Sequence, residues 1–148
     1  MNKQEEPMTL LQSGVIPYRI VKDKPYLYLI TSVSKGRWIV PKGVLEDELS
    51  QTESAIMEAY EEAGLIGIVS GKIFDTYSSE KWGRVTKINL YPMKVLEAVS
   101  DWPEKEIRRR IMIPMTKREI KARVSNPSLM KVLLSFAESM KNSRKIAI

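Results

Sequence analysis

A chain of 148 residues, 43% hydrophobic and 28% charged, has the composition of an ordinary globule and the length of one domain. It has no cysteine and no histidine, which excludes disulfides, thiol chemistry and imidazole bases or ligands, and leaves catalysis to carboxylates, lysine, tyrosine, hydroxyls or a metal. The formal net charge of +6 implies attraction to polyanions, whether nucleotides, inositol phosphates or nucleic acid.

Met1 to Met8 are polar and expected to fray. Leu10 to Val21 reads as a strand and Lys22-Asp23-Lys24-Pro25 as a hairpin loop. Tyr26 to Val33 reads as a second strand, whose weak alternation implies burial on both faces. Ser34-Lys35-Gly36-Arg37 is a small basic turn; Lys35 and Arg37 read equally well as phosphate contacts and as solvated charges. Trp38-Ile39-Val40 then leads into a Pro41-Lys42-Gly43 turn.

Ser50 with Glu53 three residues later is a capping box, and Gly64 is the matching stop, so a short helix is expected between them. Thr52, Ile56, Ala59 and Ala63 form an apolar stripe on it. Glu58, Glu61 and Glu62 fall opposite, within about 100° of each other at ~100° per residue. Like charges at this spacing weaken a helix, so a cation is expected among them, and oxygen ligands suit Mg²⁺ or Mn²⁺. Periodicity alone favours the plainer reading of a solvated acidic face.

Beyond the helix, Ile66 to Tyr77 is strand-like, with kinks or bulges at Gly67 and Gly71, and Ser78 to Gly83 reads as a loop holding Lys81. Val85 to Glu97 returns as a strand in which Pro92 argues for an edge position or a bulge. Asp101-Trp102-Pro103-Glu104 turns the chain. Arg108-Arg109-Arg110 precede a strand over Ile111 to Met115, either as charges protecting an edge or as a phosphate clamp. Two helical patterns follow, Thr116 to Val124 and Ser128 to Lys141, the second with a core stripe of Leu129, Val132, Leu133, Phe136 and Met140. No run of about 18 apolar residues suggests a membrane span and no signal-peptide core is seen, so cytoplasm is the expected compartment.

The stretch from Gly43 to Leu65 resembles the Nudix box, G-x5-E-x7-R-E-U-x-E-E-x-G-U with U apolar. Gly43 opens it and Glu58-Ala59-Tyr60-Glu61-Glu62-Ala63-Gly64-Leu65 closes it at the family's spacing. Leu49 stands where the first glutamate belongs and Met57 where the arginine belongs. Losing one partner of a charged contact strands the other, whereas losing both to apolar residues is nearly neutral, so the two departures read as a coupled change. Glu46 and Glu48 are candidate acidic substitutes, with exposed loop acids the favoured reading.

The resemblance implies an α/β/α sandwich with a mixed β-sheet between helices, and a hydrolase of diphosphate linkages. It implies metal ligation by Glu58, Glu61 and Glu62 together with Gly43, and catalysis by the same three glutamates, one of Glu61 and Glu62 doubling as the base. Substrate phosphates would meet Lys42, Lys35, Arg37, Lys81, Arg84, Arg109 and Arg110, and Glu80 is a candidate extra base. Arg37 to Gly43, Glu97 to Trp102 and the closing helix resemble the diphosphoinositol polyphosphate and diadenosine polyphosphate phosphohydrolase branch. A polyphosphorylated substrate fits the positive charge better than one nucleoside triphosphate. The alternatives are an ADP-ribose or nucleoside triphosphate pyrophosphohydrolase, and a binding module for RNA or another ligand that has lost catalysis.

Overall fold

The computed structural model describes residues 9–81 and 83–146, so the expectation for Met1 to Met8 lies outside the described residues. β1 (Leu10–Val21) and β2 (Lys24–Thr31) form a hairpin whose two turn residues, Lys22 and Asp23, have φ of 51° and 68°. Both central residues at positive φ match the twist of the flanking strands, which is why so short a turn closes here. The turn is tighter than the four-residue loop read from the sequence, because Lys24 and Pro25 already pair with Val21 and Ile20. β2 is buried without interruption from Leu27 to Thr31, as its lack of alternation implies.

β3 (Trp38–Ile39) and β4 (Lys42–Val44) lead to α1 (Gln51–Ala63), followed by β5 (Leu65–Val69), β6 (Asp75–Lys81) and β7 (Arg84–Ala98). A 3-10 turn at Lys105–Ile107 precedes β8 (Arg110–Pro114), α2 (Lys117–Arg123) and α3 (Pro127–Ile146). The sheet runs β3-β2-β1-β7-β5, with β4 also on β1, β6 on β7 and β8 on β2. β1 and β7 are parallel and their neighbours antiparallel, so the sheet is mixed.

Because side chains alternate along a strand, Val15 and Ile30 face one side of the sheet and Ile16 and Leu29 the other. The first side receives α1 through Ala55, Ala59 and Ala63. The second receives Ile120 and Val124 from the α2 region and Leu129, Val132, Leu133 and Phe136 from α3. The sandwich expected from the sequence is thus formed, with two cores separated by the sheet. Among the described residues no helix is long and apolar enough to cross a membrane.

Three expectations are corrected. The strand read over Ile66 to Tyr77 is two strands, β5 and β6, broken at residues 70–74, and Ser78 to Lys81 continue β6 instead of looping. Gly67 does mark a bulge, where the β5 register shifts against β7. Pro92 lies in the sheet interior, between β1 and the β5/β6 pair, not at an edge. Its carbonyl accepts from the Ser70 N–H, 2.9 Å, so its ring nitrogen faces the same break between β5 and β6, where no ladder donor is needed.

Candidate active site

The helix that carries the glutamates is fixed at both ends. Ser50 Oγ accepts from the Glu53 N–H at 3.1 Å and Glu53 Oε1 accepts from the Ser50 N–H at 2.8 Å, completing the capping box. Gln51, the first helical residue, is tied to the sheet: its carbonyl accepts from Ser13 Oγ at 2.6 Å and its side-chain oxygen from Asn89 Nδ2 at 2.9 Å. At the other end Gly64 takes φ 64°. The exposed carbonyls there are met by the strap after β7. Glu61 O accepts from the Glu104 N–H at 3.1 Å, Glu62 O from Trp102 Nε1 at 3.1 Å and Ala63 O from Arg110 Nη1 at 2.8 Å.

Held this way, the helix presents a face different from the one its apolar stripe suggests. Ser54, Ala55, Ala59, Glu62 and Ala63 are buried, whereas Ile56 is 44% exposed. Small alanines let the helix approach the sheet closely, and that brings Glu62 inward beside β4. Its carboxylate, expected on the solvent side, accepts from the Lys42 N–H through Oε1 at 3.1 Å and pairs through Oε2 with Arg108 Nη2 at 3.1 Å. Burial pushes the Glu62 carboxyl up to about 7, outweighing Arg108 and the Lys42 amide, which pull the other way.

Glu58 sits directly over Gly43, so close that a Cβ there would overlap its carboxylate. That explains why the box opens on glycine. Burial raises the Glu58 pKa, and the like charges of Glu61, Glu104 and Glu46 raise it further, against the pull of Lys42. Among the described residues no three carboxylates converge on one point. In chemistry the cluster still fits a hard divalent ion. It is a set of crowded, mutually repelling oxygen donors around a glycine cradle, and Mg²⁺ keeps several waters and takes only one or two carboxylates.

The arginine run is divided by function. Arg108, not singled out within the run by sequence reasoning, reaches the glutamates; its side chain is 9% exposed. Arg109 is exposed, its guanidinium 5.6 Å from the Trp38 ring. Arg110 is corrected: instead of facing phosphate, its Nη1 donates to Ala63 O and Val99 O at 2.8 and 2.9 Å, and it stacks over Trp102 at 4.3 Å. An open recess of about 480 Å³ lies beside Glu62's partner, lined among others by Thr31, Ser32, Gly36, Lys105, Arg108 and Arg109. Lys35 and Arg37 flank Gly36 in the same exposed turn.

Other expected residues are not drawn in. Arg84 begins β7 six residues before Leu90, which shares the level of Lys42 through Gly14, so it lies roughly 20 Å along the strand at ~3.3 Å per residue. Lys81 pairs with Arg84 at the same hairpin end; its side chain lies outside the described residues. Glu80 is exposed beside them and Glu48 is exposed in the loop before α1. Glu104 was missed. The signal available was a carboxylate following the Trp102-Pro103 turn, but only the strap's path over the helix end brings it to Glu58.

No protein-family model matches the chain. It is 31% identical over 130 residues to Nudix hydrolase 16, mitochondrial, of Arabidopsis thaliana, covering 74% of this chain and 71% of that one. It is 34% identical over 107 residues to Nudix hydrolase 18, mitochondrial, of the same plant, covering 66% and 60%. To the human diphosphoinositol polyphosphate phosphohydrolase 3-beta it is 30% identical over 93 residues, covering 63% and 56%. The chain therefore spans about three-fifths of the length of several of these relatives. In fold it matches a C. elegans Ap4A hydrolase in a binary complex, with a TM-score of 0.77 at 17% identity over 90% of this chain and 98% of that one. A NUDIX hydrolase from Nitrosomonas europaea matches with a TM-score of 0.71 at 16% identity, over 89% and 90%. With the box spacing, the glycine cradle under Glu58 and a relative this similar over most of its length, the chain belongs to the Nudix hydrolase family.

Proposed function

We propose that this protein is a metal-dependent hydrolase of phosphoanhydride bonds acting on a polyphosphorylated small molecule such as a diadenosine polyphosphate or an inositol pyrophosphate. The observation that carries this reading is Glu58 seated over Gly43 with the like charges of Glu61 and Glu104 acting on it, near a recess lined by Arg108 and Arg109. Glu58, Glu61 and Glu62, with Gly43 beside them, are the residues that would share the ligation of Mg²⁺ or Mn²⁺ together with waters, and the metal would neutralise the diphosphate charge and activate water. One of Glu61 and Glu62 doubles as the base that takes a proton from the attacking water. Lys42, Lys35, Arg37 and Arg109 hold the phosphates, and Lys81 with Arg84 is left for a remote group of a long substrate. A cytoplasmic location rests on the sequence alone, since several relatives are named as mitochondrial.

One observation favours a second reading, a binding module that has lost catalysis: both Glu62 oxygens are already engaged by protein donors. The deciding experiment measures phosphate release with and without Mg²⁺ from diadenosine polyphosphates, inositol pyrophosphates, ADP-ribose and nucleoside triphosphates. Metal-dependent turnover of a highly phosphorylated member is expected, and Glu62→Gln should cut it by orders of magnitude in a folded protein. Silence across the panel, with RNA bound in a steeply salt-sensitive and metal-independent way, would establish the binding module instead.

A further inference from the structure

Resting on the hydrolase reading above, we infer that Arg108 is the positioning residue for Glu62, a cation supplied from outside the helix to a carboxylate that the helix itself leaves without one. Helix α1 contains no lysine or arginine, and Met57 occupies the position at which the box pattern has its arginine. A carboxylate as buried as that of Glu62 needs a charged or hydrogen-bonding partner to stay in place. Arg108 is that partner, and its guanidinium is held in three directions at once. Nη2 reaches Glu62 Oε2 at 3.1 Å, Nε donates to Glu104 Oε1 at 2.7 Å, and Nη1 donates to the Thr31 carbonyl at 2.9 Å.

The anchors are themselves fixed. Thr31 closes β2 and exchanges hydrogen bonds with the Arg109 backbone, accepting from its N–H at 2.8 Å and donating to its carbonyl at 3.0 Å. The second Glu62 oxygen is held by the Lys42 N–H, and Lys42 is paired to Gly14 in the sheet. Turning the Glu62 side chain therefore means breaking contacts to two separate segments, β4 and the stretch just before β8. A planar guanidinium makes all three contacts together, whereas an ammonium at the end of a lysine has no such fork. Arg108 also lines the recess, so the group that aims Glu62 stands at the edge of the space a substrate would enter.

The test compares wild type, Arg108→Leu and Arg108→Lys in three readouts: kcat and KM on the active member of the substrate panel, the Lys42 backbone amide resonance in metal-free protein, and thermal unfolding. Arg108→Leu is expected to lower kcat about 10- to 100-fold with little change in KM, and to shift the Lys42 amide as its acceptor swings free. Arg108→Lys, which keeps charge and bulk, should recover part of kcat. If Arg108→Leu does not fold, the lysine variant carries the test through its own loss of kcat and its Lys42 shift. A variant that unfolds earlier but keeps wild-type kcat and Lys42 amide would make Arg108 a structural staple and overturn the inference. A raised KM with unchanged kcat would overturn it too, by making Arg108 a phosphate contact. Wild-type protein silent on every substrate brings down the hydrolase reading instead, and the Lys42 amide then still decides whether Arg108 holds Glu62.

Discussion

Glu62 links stability to pH in a direction opposite to that of a surface carboxylate. In the unfolded chain its proton leaves near the usual value of about 4.3, whereas the folded protein keeps it until about pH 7. Between those values the folded state binds more protons, so stability is full below about pH 4.5 and declines as pH rises to about 7, by up to ~3 kcal/mol. Glu58 is raised as well and adds to the slope in the same direction. Urea unfolding of metal-free protein at about pH 5 and about pH 7.5 checks this: Glu62→Gln should flatten the decline, and an unchanged slope would assign it to other groups. About two helical turns before Glu62, Ser54 is fully buried and its hydroxyl has no partner among the described residues. Alanine removes the unpaired group and favours the helix, so Ser54→Ala should stabilise by about 1 kcal/mol in the same unfolding assay.

At the scale of elements, the end of α1 explains the fate of the arginine run. A helix whose last turn holds no basic residue leaves its final carbonyls to be satisfied from elsewhere, and the strap from Val99 to Arg110 does so. Arg110→Leu should therefore cost about 2–3 kcal/mol of stability while leaving KM unchanged; a raised KM at unaltered stability would return Arg110 to the substrate. The two ends of the helix were legible in the sequence because a capping box and a C-terminal glycine act through neighbours a few residues away. Its buried face was not, because what compensates Glu62 comes from Lys42 and Arg108, far off in the chain and close only after folding. Alternation along an extended chain sets Arg109 apart from Arg108 and Arg110 but does not tell which side turns inward. Which one turns inward depends on how the strap crosses the end of β2. Pro92 misled for a related reason, since an interior strand tolerates it only because β5 and β6 part company beside it.

Across the whole molecule, the order of strands and the two cores follow from patterns spread along the chain, but where the charge acts does not follow from its sum. The sequence carries 24 lysines and arginines against 18 acids, and the four carboxylates Glu58, Glu61, Glu62 and Glu104 are concentrated at one end of α1 and the strap. Basic groups not spent on helix carbonyls or on Glu62 are therefore in larger excess over the rest of the surface, with Lys105 and Arg109 lining the recess and Lys35 and Arg37 in the turn beside it. A field of this kind raises the local concentration of a polyanion and is screened over a Debye length of about 10 Å at 0.1 M salt. Thus kcat/KM should fall with ionic strength, more steeply for substrates with more phosphates, while kcat changes little because the Glu62 contacts are buried and poorly screened. Kinetics in rising monovalent salt at fixed Mg²⁺, on two substrates differing in phosphate number, measure this. Equal slopes for the two would mean that the excess charge lies away from the recess, and the case for a polyphosphorylated substrate would then rest on the geometry of Lys42 and Arg109 alone.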